Sequence, residues 1–241
     1  MRFTTPLIEG RLVERYKRFL ADIDLATGER VTAHCANPGA MLGLCVPGAR
    51  VLVSPSTNPS RKLPYSWELV ERDFGRGPEW VGINTTRPNV LVREALEAGR
   101  LAPLVGYEAI RAEVPYGERS RVDFLLAGPR RPDCYVEVKN CHFSREPGLA
   151  EFPDCVAARS SRHMEELAGM VAAGCRAVLI AVIQMRAERY DIARDIDPAF
   201  DRAFRQARAA GVEAYAYACR VSAEEVTIAG EAEIVTPVWA A

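Results

Sequence analysis

The sequence predicts two domains: a β-rich region of barrel size over residues 1–88, then an α/β domain with a mixed sheet over residues 89–241. Three observations carry that prediction. Short strand-like segments broken by Gly, Pro and Asn turns fill residues 7–58. Arg87-Pro88 marks a boundary, and beyond it helix-period stretches alternate with strand-like runs. A chain of 241 residues, 49% hydrophobic and 26% charged, can bury a sizeable core in one large or two small domains.

In the first region Leu7 to Lys17, Phe19 to Leu25, Arg30 to His34 and Arg50 to Ser54 read as strands. The breaks are Ala26-Thr27-Gly28-Glu29, Asn37-Pro38-Gly39 and Val46-Pro47-Gly48-Ala49. Strands this short suit a small closed barrel of the OB type. Tyr65 to Val70 alternates as a further strand. Asn89 then reads as the N-cap of a helix through Gly99, with Val90, Leu91, Ala95 and Leu96 near one face. Phe124-Leu125-Leu126 and the run from Cys134 to Asn140 read as a hairpin, and Ser144 to Pro153 as a loop lying over it. A helix is expected from Asp154 to Gly174, with Met164, Leu167, Ala168 and Val171 as its apolar face. The apolar run Ala177 to Met185 suits a strand buried on both faces. Asp197-Pro198 opens another helix to Gly211, and Val212 to Cys219 follows as an alternating strand. The order from Asn89 is α-β-β-β-α-β-α-β, with a hairpin first and right-handed crossovers after it. Residues 220–241 are expected to add a short edge and tail.

Composition narrows the function classes. No run approaches the ~18 apolar residues of a membrane helix, and no apolar signal region follows Met1-Arg2-Phe3-Thr4. The expectation is a cytoplasmic protein with no membrane partner. Seven cysteines without a C-x-x-C pair suit free thiols in a reducing compartment. The net charge is -1, yet residues 1–90 hold 12 Lys+Arg against 9 Asp+Glu, and residues 91–241 hold 19 against 23. The modest basic excess is N-terminal.

Glu137 and Lys139 lie two apart in a strand and share a face, while Val136 and Val138 turn the other way. If Asp123 comes alongside, two carboxylates and one ammonium converge. Carboxylates that close repel unless a cation lies between them. Mg²⁺ is held by one or two carboxylates while keeping waters for a phosphate-bearing substrate. The Val138 carbonyl is a candidate third ligand, and Lys139 is placed to position a water or neutralise a phosphorane-like transition state. Spacing alone describes equally a surface Glu-Lys pair worth a few tenths of a kcal/mol. Arg15, Tyr16, Lys17, Arg18 and Phe19 mix cations and aromatics as single-strand-binding OB barrels do, and Arg61-Lys62 follows Asn58-Pro59 on a loop. A solvated basic strand with a core aromatic has the same pattern. Arg159, Arg162 and His163 could face phosphates, although a solvated helix face is the plainer reading. His34, Cys35 and Asn37 lack a second ligand cluster at zinc spacing and read as a strand end and turn. Trp67, Trp80 and Trp239 read as core or strand aromatics, and no carbohydrate cleft is singled out.

Asp123, fourteen positions to Glu137, then x-Lys139 resembles the active-site pattern of the PD-(D/E)XK nuclease superfamily. A longer series resembles the sugar fermentation stimulation protein family over nearly the whole chain. It comprises Arg18-Phe19-Leu20-Ala21-Asp22, His34-Cys35-Ala36-Asn37-Pro38-Gly39-Ala40-Met41, Arg61-Lys62, Arg121-x-Asp123-Phe124, Glu137-Val138-Lys139-Asn140, Phe152-Pro153-Asp154 and Gly211-Val212-Glu213. That family usually has Thr where Pro38 stands. The resemblance implies an OB barrel followed by a nuclease-like domain, DNA or else RNA as partner, and Mg²⁺ or Mn²⁺ on Asp123 and Glu137 with Lys139 beside it. It adds Glu94, on the helix before the hairpin, as a further acidic catalytic residue. Arg15, Lys17, Arg18, Arg61, Lys62 and Arg121 become the nucleic-acid contacts. The family name implies a rival, a non-catalytic DNA-binding regulator of sugar (maltose) utilisation.

Overall fold

Alternating burial builds the N-terminal barrel. The structure is a computed structural model and describes residues 1–117 and 120–236, so Trp239 lies outside the described residues. Strands β1 (Ile8–Tyr16), β2 (Leu20–Leu25) and β3 (Arg30–Cys35) form an antiparallel meander, followed by β4 (Arg50–Pro55), β5 (Tyr65–Asp73) and β6 (Pro78–Gly82). The hydrogen-bonded order is β3-β2-β1-β4-β5-β6, and a parallel pairing of β3 with β5 closes five strands into a barrel. Closure works because β5 changes partner along its length. Ser66 and Trp67 meet β3, and Leu69 to Asp73 carry β6. Leu12, Ile23, Val31, Val51, Val53 and Trp67 fill the interior, each large side chain contributing roughly 1.5–3 kcal/mol of burial.

The second domain comprises α1 (Arg87–Glu97), β7 (Ala109–Tyr116), β8 (Ser120–Ala127), β9 (Cys134–Cys141), β10 (Phe143–Glu146), β11 (Leu149–Phe152), α2 (Ala158–Ala172), β12 (Arg176–Ile183), β13 (Arg189–Ile192), α3 (Pro198–Ala209), β14 (Glu213–Val221) and β15 (Val226–Ile234). Its nine-stranded sheet runs β10-β11-β13-β15-β14-β12-β9-β8-β7. The pairs β9–β12 and β12–β14 are parallel, and β7–β8 and β8–β9 antiparallel, so the sheet is mixed as expected. On β12, Val178, Ile180 and Val182 join the cluster that holds Leu91, Val92 and Ala95 of α1. Leu179, Ala181 and Ile183 face the other way, into a core shared by α2, α3 and the barrel interior. One hydrophobic core therefore runs through both domains.

Four local expectations are corrected. Helix α1 starts at Arg87 with Thr86 as its cap, because Pro88 fits the first turn; the Asn89 side chain is engaged elsewhere. Residues 144–153 are not a loop but mostly a hairpin, β10 and β11, with Leu149 and Ala150 buried and β11 parallel to β13. Helix α2 starts at Ala158, since Asp154 is recruited to a different partner. Beyond residue 220 the chain adds a nine-residue strand between β14 and β13, not a short edge; a register shift at Ala218/Cys219 hides its alternation. Asp197 does cap α3, its carboxylate accepting from the Phe200 N–H at 3.0 Å.

Hydrogen bonds lock the two domains. The Gly82 N–H donates to the Gln184 carbonyl at 2.8 Å, Gln184 Nε2 to the Asn84 carbonyl at 3.3 Å, and the Met41 N–H to Asp154 Oδ2 at 2.6 Å. A Cβ on Gly82 would lie 2.4 Å from Gln184 Oε1, so only glycine permits this approach. All seven cysteines are free thiols. Among the described residues no helix is long and apolar enough to cross a membrane.

Candidate active site

The site forms where the β8–β9 ladder ends. Phe124 pairs with Val136, and Asp123 and Glu137 fall one step beyond that pair. Freed from the ladder, the Asp123 carboxylate accepts from the Val138 N–H and from Asn89 Nδ2 of α1, both at 2.7 Å. Glu113, across from Asp123 on β7, has φ +54°, so β7 is locally distorted beside it.

Glu137 and Lys139 share the face of β9 that α2 covers. Glu137 is 3% exposed and Lys139 9%. Lys139 Nζ donates to Glu137 Oε1 at 2.7 Å, and His163 Nδ1 of α2 makes a very short contact with the same oxygen. Arg159 Nε donates to His163 Nε2 at 3.1 Å, which leaves the ring proton on Nδ1, directed at Glu137. Lys139 Nζ and His163 Nδ1, 3.2 Å apart, therefore converge as two donors on one carboxylate. The other Glu137 oxygen, Oε2, is buried and has no partner. Burial tends to raise the Glu137 carboxyl, but the Lys139 charge and the His163 bond outweigh it and hold it below the ordinary range. Burial, then Glu137, push the Asp123 carboxyl up to about 6 despite its donors.

These residues line an open cavity of about 510 Å³ with walls from both domains. Arg18, Asn37, Pro38 and Gly39 come from the barrel; Pro153 to Ala157, Arg159 and His163 come from the second domain. A second polar group sits in the same cavity. His142 Nε2 lies 3.3 Å from Asp154 Oδ2, which accepts from the Met41 N–H at 2.6 Å, and Asn140 Nδ2 meets His142 Nδ1 at 2.7 Å.

The structure thus brings Asp123, Glu137, Lys139 and Arg18 together and leaves other candidates apart. Glu94 is corrected: its carboxylate pairs with the Met1 amine at 2.6 Å, and Asn89, more than one turn earlier on α1, reaches Asp123 instead. Arg15 is corrected as well. Its guanidinium is spent on the carbonyls of Arg18, Asn37, Gly39 and Ala40, tying a hairpin to a loop. Arg121 donates to the Glu113 carbonyl at 2.6 Å, outside the cavity. Lys17 is exposed beside Arg18; Arg61 bonds Ser66 Oγ at 2.9 Å and Lys62 is exposed next to it. Trp67 is a core residue and Trp80 packs under Arg50. His163 does not lie on a solvated face: Ser160, His163, Met164 and Leu167 are one buried stripe. That i, i+3, i+4, i+7 spacing is the signal in the sequence that marks it.

A closed OB barrel joined to a nine-stranded mixed sheet, with an Asp…Glu-x-Lys set at the end of its hairpin, defines a two-domain protein with a carboxylate-lysine site lined by both domains. Residues 13–83 match the model of the SfsA N-terminal OB domain, and residues 86–225 that of the sugar fermentation stimulation protein RE domain. The chain belongs to the sugar fermentation stimulation protein family. It is 70% identical over 236 residues to the sugar fermentation stimulation protein homolog of Methylorubrum populi, covering 98% of this chain and 96% of that one. Against the Maricaulis maris homolog the identity is 52% over 229 residues, with 95% and 96% covered. Among solved structures, Pyrococcus furiosus SfsA in complex with Ca²⁺ superposes with a TM-score of 0.86 at 24% identity, covering 97% of each chain.

Proposed function

We propose that this chain is a divalent-metal-dependent phosphodiesterase acting on nucleic acid, with Asp123 and Glu137 holding Mg²⁺ or Mn²⁺. The observation that carries the reading is Glu137 Oε2, a carboxylate oxygen buried without a partner beside Asp123, whose own carboxyl is raised to about 6. An orphaned buried acceptor is costly unless something meets it. Among the described residues no three His, Cys, Asp or Glu side chains gather as a ligand set. Two carboxylates instead suit a hard ion that keeps several waters and takes phosphate oxygens. Pyrococcus furiosus SfsA is a complex with Ca²⁺, itself a hard divalent ion, which supports this reading. When bound, such an ion supplies Lewis-acid polarisation of the phosphoryl group.

The chain's own residues do the rest. His163 and Lys139 pin Glu137 Oε1, and Oε2, which has no partner, would be the oxygen available to an ion. Asn89 and the Val138 N–H orient Asp123. Lys139 is placed to hold the attacking water and to face charge building on the phosphoryl oxygens. The water oxygen bonds to phosphorus as the bond to the departing sugar oxygen breaks, and a proton released by the water ends on that sugar oxygen. Arg18 and Arg159 on the cavity walls attract the strand's phosphates.

The test is incubation with labelled single- and double-stranded DNA and RNA in Mg²⁺, Mn²⁺ or EDTA. Product is expected with metal alone, and Lys139→Ala is expected to slow it by about 10²–10³-fold with the fold retained by circular dichroism. Salt-sensitive, metal-independent binding with no product from any substrate would replace this conclusion with the non-catalytic regulator.

A further inference from the structure

Building on the phosphodiesterase reading, we propose that the substrate is single-stranded where it enters the site, carried over the β1–β2 tip with a base stacked on Phe19. The first ground is the depth of the floor. Glu137 and Lys139 are almost fully buried at the bottom of a two-walled cavity of about 510 Å³. A cavity of this size suits one ligand of nucleotide dimensions. A single strand bends and unstacks readily, whereas a duplex is a stiff rod with stacked bases. A flexible strand reaches a buried floor at a lower deformation cost than a stiff rod.

The tip itself is the second ground. Lys17 and Arg18 have φ +48° and +63°, left-handed conformations that favour glycine. Arg15 holds them there, donating from Nε to the Arg18 carbonyl at 2.9 Å. The turn delivers Arg18 to the cavity wall, and among the described residues its guanidinium makes no hydrogen bond or ion pair. Next to it Phe19 is 46% exposed, and its ring stacks on His34 with centroids 6.5 Å apart and planes within 19°. An exposed Phe19 ring lying nearly parallel to the half-buried His34 ring, beside a free cation, is a base platform followed by a phosphate contact.

The third ground is continuity. His34 pairs with Ser66, which accepts from Arg61, and Lys62 follows on the β4–β5 loop. In OB barrels the β1–β2 and β4–β5 loops are where oligonucleotides lie. Here both loops are cationic, whereas the strand face between them carries Asp22 and Asp24, already bonded to Thr32 and Arg30. The track therefore runs from Arg61 and Lys62, over His34 and Phe19, past Arg18 and into the cavity.

The experiment is fluorescence anisotropy in EDTA with a labelled oligonucleotide of about 16 nucleotides, as DNA and as RNA, and with each matched duplex at the same salt. Wild type is expected to bind single strands more tightly than duplex. Phe19→Ala should weaken single-strand binding by roughly 5–100-fold without changing duplex binding, and Phe19→Trp should restore it. Equal or tighter duplex binding, or an unchanged Phe19→Ala affinity, overturns the proposal. Selective single-strand binding with no product in Mn²⁺ would sink the phosphodiesterase reading and leave this one standing. Product from duplex alone would do the reverse, and no binding to either together with no product in Mn²⁺ would retire both.

Discussion

Two His–carboxylate groups share one cavity and differ in what they leave open. In the first, His163 and Lys139 both serve Glu137 Oε1 while Oε2 has no partner, and the Asp123 carboxyl is raised to about 6. In the second, Asp154 accepts from the Met41 N–H and lies against His142, whose other ring nitrogen meets Asn140. Burial raises Asp154 too, but the bond and charge of His142 outweigh it, so its carboxyl is held below the ordinary range. The same residue types thus make a poised site in one place and a joint between domains in the other. What separates them is whether each buried oxygen has a donor.

The sharpest way to break this comparison is stability against pH in EDTA. A carboxyl raised in the folded state contributes stability below its unfolded pKa, and loses it as pH rises through the folded value. Asp123 should therefore cost the metal-free protein stability at neutral pH. Its carboxyl stands at about 6, well above the ordinary range. Asp123→Asn is accordingly expected to stabilise the protein by about 2–3 kcal/mol at pH 8, since each pKa unit is worth about 1.36 kcal/mol, with the gain fading toward pH ~4. Asp154 has the opposite sign: its contribution is present above the ordinary carboxyl pKa and is lost as pH falls through its lowered value. Asp154→Asn should destabilise by about 1–2 kcal/mol at pH 8. Urea unfolding of both variants across pH checks this; effects of the same sign would erase the distinction.

A smaller effect is expected at His163. If it holds Glu137 in place for an ion, His163→Ala should weaken Mn²⁺ binding about 10–100-fold by calorimetry, and His163→Gln should recover part of it. Tighter binding by His163→Ala would instead make His163 a competitor for the carboxylate. The last test is Gly39→Ala. Its Cβ would lie 2.7 Å from Asp154 Oδ1, and the crowding should cost roughly 1–3 kcal/mol in thermal melts while leaving Mn²⁺ affinity unchanged. A change in that affinity would show that the two groups are coupled.

Legibility follows the same division. Asp123, Glu137 and Lys139 can be read from the sequence because strand period and a short hairpin bring them together locally. Arg18 and Phe19 stand out as a basic-aromatic tip, but nothing local says that Arg15 beside them is consumed by four loop carbonyls. Glu94 is misplaced by sequence reasoning because a helix pattern gives phase only within itself. Which residue of α1 reaches Asp123 depends on how that helix docks against the sheet.

By itself the sequence determined two domains, a barrel of short strands and a mixed sheet, and the carboxylate-lysine set, since all of these follow from periods of 2 and 3.6 and from turn residues. Tertiary structure alone decided the rest. The β3–β5 closure, the insertion of β15 inside the sheet, the Gly82–Gln184 junction and the capture of Glu137 by His163 are contacts between segments far apart in the chain. Their geometry is set by which apolar faces share one core, and no window of neighbouring residues records that.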